Sequence, residues 1–264
     1  MIKEFLLNIK SSEFKKIKKD LDEYCMLLYK LDFCNIEEDY KKLIQSLESI
    51  KNFTIKENNE TFANSTFVVK LYISLIYEYS KFLQEIKKDN FRGSWNCLQD
   101  CIDIIDLYSK YESSKSIKEL INYFEKIERL YPYKVFSSIE AKFSNITCSI
   151  CGRDILDTLC NHRAGEIYFG EMCHEVINKI ERLDAVALVT NPQDKRCIVE
   201  LVEDSNEEKF NLLKGIKSLL LIPLNDFIIK KINEPKVVNT KIITKGKLVV
   251  TPTYQIKISI NNMY

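Results

Sequence analysis

The feature that most constrains this chain is a cluster of cysteines and histidines at residues 148–174, CSICGRDILDTLCNHRAGEIYFGEMCH. Four of the nine cysteines and both histidines of the 264-residue chain fall within this segment. In a reducing compartment, clustered cysteines indicate a metal site more than disulfides. A Cys-x2-Cys turn lets two thiolates face one cation, and zinc takes four such ligands in a tetrahedron. The segment therefore predicts a zinc site.

The spacing of the cluster supplies more candidate ligands than one zinc ion needs. In an extended segment Cys160 and His162 point to the same side, so both can reach one ion. Cys173 is the reserve ligand, replacing Cys160 if residues 165–170 form a hairpin that returns the chain to the metal. Four protein ligands close the site, which favours a structural role, because catalytic zinc keeps an open position. The first-choice ligands are Cys148, Cys151, Cys160 and His162.

Apolar residues recur at helical spacing through the first 135 or so residues. The chain has only 6 glycines and 5 prolines, and such a shortage of turn-forming residues favours long helices. Trp95 is expected to anchor the core, and Ser94 to be the N-cap of its helix. Residues 1–140 are therefore predicted to form an α-helical bundle. Its predicted helices lie at about residues 17–31, 65–88, 95–108 and 117–130.

The remaining residues, 141–264, are predicted to form a small zinc-stabilised α+β domain, which makes the fold class α+β. His174 is expected to be a surface residue of the first helix of this domain. The C-terminal segment alternates apolar and polar residues about Lys245-Gly246-Lys247, which predicts a hairpin from Thr240 onwards. The other predicted elements are a helix at 171–182, strands at 185–189 and 196–202, and a helix at 207–219.

Composition excludes several classes of protein. A net charge of +1 gives no global reason to expect nucleic acid or a membrane as partner. The most apolar stretch, Phe67–Leu83, contains Lys70, Glu78 and Lys81, so a membrane span is not expected. No segment resembles a signal peptide, and we expect a cytoplasmic protein. The chain also lacks a Gly-rich phosphate loop and a Gly-x-Ser-x-Gly elbow.

Lysines are concentrated in the last 39 residues, after Asn225, and allow a second interpretation of the C-terminal segment. They would form a phosphate-binding strip if they shared one face. The alternative, which we favour, is a solvated hairpin whose edge lysines discourage strand pairing. The lysines concerned are Lys230, Lys231, Lys236, Lys241, Lys245 and Lys247.

An HNH nuclease is the sharpest enzymatic alternative for the cluster. Cys148, Cys151 and Asn161-His162, with His174 and Asn178 on a following helix, can be laid over the plan of such a nuclease. The overlay lacks a second Cys-x2-Cys pair, and Arg163 stands where an apolar residue is expected. A histidine that holds zinc also cannot serve as a general base.

The pattern Cys-x2-Cys-x8-Cys-x-His-x2-Gly-x2-Tyr-x-Gly-x2-Cys, followed by IERLDAVALVTNPQDKRCIV, resembles a zinc-binding segment of tailed-phage proteins. Those proteins are encoded near capsid-maturation-protease and other structural genes. The resemblance covers residues 148–199, and Ala187 stands where those proteins usually have Ser. It therefore implies a zinc-bearing module of phage or mobile-element ancestry without peptidase activity. The matching positions are Cys148, Cys151, Cys160, His162, Gly165, Tyr168, Gly170, Cys173, Val186, Leu188, Val189 and Pro192.

These observations predict a non-enzymatic, zinc-stabilised interaction protein that acts as an adaptor, sensor or regulator on another protein. The resemblance implies that it is phage-encoded or belongs to an anti-phage defence system. The alternative function is an HNH-like, metal-dependent nuclease or a nucleic-acid-binding protein.

Overall fold

The computed structural model describes residues 36–113, 115–199, 210–215, 217, 238–244 and 247–253. Within these ranges helices precede strands, and the predicted α+β class is confirmed. The helices are α1 Ile36–Lys56, α2 Glu60–Lys87, α3 Phe91–Ser109 and α4 Lys115–Glu128. The strands are β1 Phe136–Cys148, β2 Ile167–Tyr168, β3 Glu171–Met172, β4 Glu175–Val189, β5 Val238–Thr244 and β6 Lys247–Thr253. The helix predicted at 17–31 lies outside the described residues.

Helices α1 and α2 form a hairpin with its own apolar seam. Leu43 and Leu47 of α1 share a buried cluster with Val69 and Ile73 of α2. Each pair is four residues apart, so its two side chains lie on the same helical face. Asn59 caps α2 by accepting a hydrogen bond from a backbone N–H of the first turn at 3.1 Å. The periodic pattern of apolar residues did not predict α1, and it predicted the start of α2 about five residues too late.

The second core lies between α2, α3 and α4, and Trp95 is central to it. The Trp95 side chain is 2% exposed, which confirms the predicted anchor. Its ring centroid lies 5.0 Å from that of Tyr131. The N-cap of α3 is Asn90, which accepts from the backbone N–H of Gly93 at 3.0 Å. The prediction for Ser94 is wrong: this residue is buried inside the helix, with its hydroxyl 2.7 Å from that of Tyr131.

Strands β1 and β4 form a long antiparallel pair, here called the arm, whose register runs from Phe136↔Val189 to Cys148↔Glu175. The helix predicted at 171–182 is wrong, since residues 175–189 are a single strand. Two irregularities interrupt the register on the β4 side. Each adds a residue, so side chains spaced by three stay on one face of the strand. That spacing relates Ile180, Leu183 and Val186. The strand predicted at 185–189 is confirmed as the end of β4.

The base of the arm is the end at Phe136 and Val189, and it is fixed to the start of α3. The Phe136 ring is buried and stacks on that of Trp95 with centroids 6.3 Å apart. The indole N–H of Trp95 donates to the carbonyl of Lys195, just after β4, at 2.8 Å. Arg196 then pairs with Asp100 of α3 at 2.9 Å. These contacts join the chain on both sides of the arm to one helix.

The opposite end of the arm, its tip, lies beside the other end of the bundle. The loop between β1 and β4 contacts the end of α1 at Lys51 and the start of α2 at Asn64. A strand of 13 residues spans about 43 Å. Helix α2, with 28 residues, spans about 42 Å. The arm therefore runs the length of the bundle and is held at both ends.

The remaining elements agree in part with the sequence. Strands β5 and β6 form the predicted C-terminal hairpin. Residues 210–215 and 217 are helical, within the helix predicted at 207–219. In place of the strand predicted at 196–202, the described residues show only an isolated bridge between Ile198 and Phe136. Among the described helices, none combines the length and apolar character required to cross a membrane.

Replacing Trp95 with alanine tests the second core. The cavity and the lost hydrogen bond to Lys195 should lower the free energy of unfolding by about 3–5 kcal/mol, measured by urea denaturation. Phe53→Ala is the control, because the Phe53 side chain is 58% exposed. That variant should lose less than about 1 kcal/mol. Equal losses in the two variants would contradict the assigned core.

Candidate metal centre

The end of β1 and the loop that follows it bring four metal-ligating side chains together. Cys148 is the last residue of β1, and the other three lie in the loop before β2. Their ligand atoms all lie within 4.8 Å of one another. Three sulfurs and one imidazole nitrogen at such distances can hold a metal ion. The group consists of Cys148, Cys151, Cys160 and His162, the first-choice ligands of the sequence analysis.

The Cys-x2-Cys turn is built to stabilise a thiolate. The carbonyl of Cys148 accepts from the backbone N–H of Gly152 at 2.8 Å, which closes the turn. The backbone N–H of Ile150 points at the Cys148 sulfur at 3.4 Å. Hydrogen bonding from the backbone of Cys151, supported by Ile150, lowers the pKa of the Cys148 thiol from 9.0 to about 6. These hydrogen bonds favour the thiolate form of Cys148, the form that binds metal.

The distances within the group fit tetrahedral coordination. The sulfurs of Cys151 and Cys160 lie 3.6 Å apart, and two thiolates on one tetrahedral zinc lie about 3.8 Å apart. The Nδ1 atom of His162 is buried and has no hydrogen-bond partner in the described part of the chain. A buried nitrogen in this state costs free energy unless something binds it. The chemistry of the donor set therefore fits a metal ion.

Tyr168 fixes the orientation of the histidine. Its ring meets the His162 ring edge to face, with centroids 4.6 Å apart. Its hydroxyl donates to a carboxylate oxygen of Glu166 at 2.7 Å and accepts from the backbone N–H of Arg163 at 3.0 Å. These contacts limit rotation of the imidazole, as outer-shell partners do at metal sites. Sequence reasoning gave Tyr168 no role beyond its place in the phage-like pattern.

A tight hairpin returns the chain to the cluster, as required for Cys173 to be a ligand. Strands β2 and β3 pair around a two-residue turn at Phe169 and Gly170, both with positive φ. Cys173 is buried, with its sulfur 3.6 Å from that of Cys148. Burial raises the pKa of the Cys173 thiol to about 11. Cys160 keeps its place in the group, so the hairpin adds a fifth candidate without displacing another.

Polar contacts hold this loop against the helical bundle. The side-chain amide of Asn64 on α2 donates to the carbonyl of Ile167 at 3.1 Å, and its oxygen accepts from the N–H of Gly170 at 2.8 Å. The hydroxyl of Tyr111 donates to the carbonyl of Gly165 at 3.1 Å. Three hydrogen bonds from two side chains thus satisfy backbone groups of the loop. Sequence reasoning gave Asn64 and Tyr111 no role in holding the loop, because only the tertiary contact gives them this role.

A buried lysine adds an ion pair to the same junction. Lys51 of α1 is 8% exposed, and its ammonium lies 2.5 Å from carboxylate oxygens of both Glu48 and Glu171. Burial alone would lower the pKa of Lys51, but the hydrogen bonds that its ammonium donates to Glu171 and Glu48 outweigh burial and raise the pKa. The charge is therefore retained, and it ties α1 to β3.

The other sequence candidates are not part of the group of four ligands, or their side chains lie outside the described part of the chain. His174 is exposed, as expected, but it precedes strand β4 and is not part of a helix. Asn178 lies in β4 and donates to the carbonyl of Asn145 at 2.8 Å. Lys230, Lys231, Lys236 and Lys245 lie outside the described residues. Lys241 and Lys247 are in strands β5 and β6.

Comparisons of the chain with protein families, curated proteins and solved structures give no match. The resemblance to tailed-phage proteins therefore rests on the residues of the motif.

Two glycines of the loop provide a matched test of its contact with the helical bundle. A Cβ at Gly170 would lie 2.8 Å from the backbone carbonyl oxygen of Ala63, whereas one at Gly165 would meet nothing within 4 Å. Both have positive φ, so alanine strains both by roughly 1–2 kcal/mol. Only Gly170→Ala should in addition loosen the loop from α2. Hydrogen exchange of residues 149–174 should rise more in Gly170→Ala than in Gly165→Ala. Equal rises in the two variants would contradict the proposed contact between the loop and α2.

Alanine variants of four of the five candidates should separate ligands from neighbours. Titration with Co²⁺, followed by its thiolate charge-transfer absorption, should show loss of tight binding for Cys151→Ala, Cys160→Ala and His162→Ala. Cys173→Ala should keep one tightly bound ion, because four ligands remain. Tight binding by His162→Ala together with its loss in Cys173→Ala would place Cys173 in the ligand set instead.

Proposed function

We propose that this chain is a non-enzymatic interaction protein in which one structural Zn²⁺ ion clamps the tip of the arm. Cys148, Cys151, Cys160 and His162 would bind the ion, and zinc suits three thiolates and one imidazole better than hard cations do. The observation that carries the proposal is the closed set of four ligand atoms within 4.8 Å of one another. A set that fills the coordination sphere leaves no position for substrate or water.

The location of the cluster supports a structural role. Cys148 ends β1, and Glu175 begins β4 directly opposite it. The loop between the two strands contains 26 residues, of which only the two-residue strands β2 and β3 are regular. A metal ion held by Cys148 and by ligands near the start and the end of the first half of this loop would stabilise the folded loop, because the ion binds the folded site and not the unfolded chain. The bound ion would therefore fix the tip in the shape that contacts α1 and α2.

The exposed surface of the arm supports a role as adaptor, sensor or regulator. The arm presents a long surface held at both ends, and another protein is the partner we propose for the chain. The phage-like pattern at residues 148–199 supports a setting in phage biology or in anti-phage defence.

Metal analysis and chelation test this function. The protein purified with zinc should contain one tightly held Zn²⁺ per chain by elemental mass spectrometry. A zinc chelator should raise the hydrogen exchange of residues 149–174 and of the adjoining half of the arm, because the clamp is lost. The buried cores of α2 and α3 should keep their protection, which serves as the internal control. A metal-free protein with a fully protected tip would overturn the proposal.

Assays on DNA address the alternative functions. No cleavage is expected with Mg²⁺ or Mn²⁺, since the ligand set is closed. Cleavage that is abolished by His162→Ala or His174→Ala in a folded protein would establish the nuclease instead. Salt-dependent DNA binding that is lost on replacing Lys241, Lys245 and Lys247 would establish a nucleic-acid-binding function.

A further inference from the structure

The arm has one apolar face that no described element covers. Cross-strand pairs such as Ile139↔Val186 and Phe143↔Ile180 place large apolar side chains next to each other along this face. Their exposed fractions run from 42% for Phe143 to 70% for Val186. Six such residues line the face: Ile139, Phe143, Ile180, Leu183, Val186 and Leu188.

The opposite face of the arm is polar along its middle. Its residues include Ser138, Lys142, Ser144, Lys179 and Arg182, assigned by the same register. The contrast between the two faces is that of a strand pair built to be buried on one side only. A two-stranded ribbon with an uncovered apolar face is at best marginally stable in water, so the apolar face needs a covering partner.

The apolar face points away from the bundle at the base of the arm. Phe136 and Val189 pair on the opposite face, and they pack against the core that contains Trp95. Leu188, the neighbour of Val189, is consequently on the outer side and is 69% exposed. The bundle therefore cannot cover this end of the face.

We propose that the apolar face of the arm is a homodimer interface, packed against the same face of a second copy. A two-fold axis through the middle of the face would bring each copy's residues onto the equivalent surface of the other. Two ribbons would then form a two-layer, four-stranded sandwich with the apolar side chains between the layers.

The chemistry and size of the face favour a second copy as its occupant. The six large side chains carry no charge, so the face offers no charge pattern by which a different partner would be selected. The exposed area of these residues is on the order of 600–700 Å², close to the ~800 Å² that each partner contributes to a standard interface. Self-packing thus buries an area suited to a stable dimer.

This inference names a partner for the arm and rests on the proposed function, in which the arm is an interaction surface. Metal content and association are measured separately. A metal-free dimer would contradict the zinc clamp alone, and a zinc-loaded, folded monomer would contradict the dimer alone.

Two adjacent residues of β4 give a matched pair of variants for the test. Val186 lies on the apolar face and Ala187 on the polar one, and both are exposed. In sedimentation velocity of the full-length protein, wild type and Ala187→Glu should be dimers. Val186→Glu should dissociate, with affinity reduced roughly 100-fold or more, because it would bury an unpaired carboxylate. Circular dichroism and metal content should be the same for all three proteins.

A photoreactive benzoylphenylalanine at position 183 identifies what covers the face. The expected product has twice the mass of the chain, with the crosslink joining the two arms. A wild-type monomer at micromolar concentration would overturn the proposal. So would equal dissociation of both glutamate variants, or a crosslink within one chain to residues 218–264.

Discussion

The long antiparallel pairing of β1 and β4 depends on being held at both of its ends. Along the middle of the arm the side chains are exposed on both faces, so burial contributes little there. At the base, Phe136 packs on Trp95, and the chain after β4 is bonded to α3. At the tip, the Cys/His loop rests on α1 and α2. These two attachments fix where the arm lies on the helical bundle.

The base and the tip of the arm are attached by different kinds of interaction. The base is a continuation of the hydrophobic core, in which aromatic rings exclude water and the indole N–H of Trp95 finds a backbone partner. The tip leaves its apolar side chains largely unburied, with Leu156 86% and Leu159 68% exposed. It relies instead on hydrogen bonds, the buried Lys51 ion pair and the donor set for a metal ion. A loop with so little regular structure has few other ways to offset its conformational entropy. This is the physical reason to place a metal clamp at the tip.

Three of the four described helices and the candidate metal ligands were readable from the sequence because both are encoded by local spacing. The 3.6-residue period marks α2, α3 and α4, and the Cys-x2-Cys turn sets two sulfurs on one side without any distant contact. The arm was only partly readable. Strand β1 was missed and residues 175–182 of β4 were predicted as a helix, whereas the end of β4 was correctly predicted as a strand at 185–189. The cap at Ser94 was misplaced because Asn90, one turn earlier, offers a side-chain oxygen at the right position.

By itself the sequence determined which residues can bind a metal and where helices α2, α3 and α4 lie, because short-range geometry decides both. Only the tertiary structure decided that Cys148 and Glu175 face each other across a strand pair, and that Asn64 and Lys51 receive the loop. Pairing between β1 and β4 joins residues 27 to 53 positions apart. Such contacts depend on the closure of long loops and on the residues of the partner strand. Neither can be predicted from the local sequence pattern.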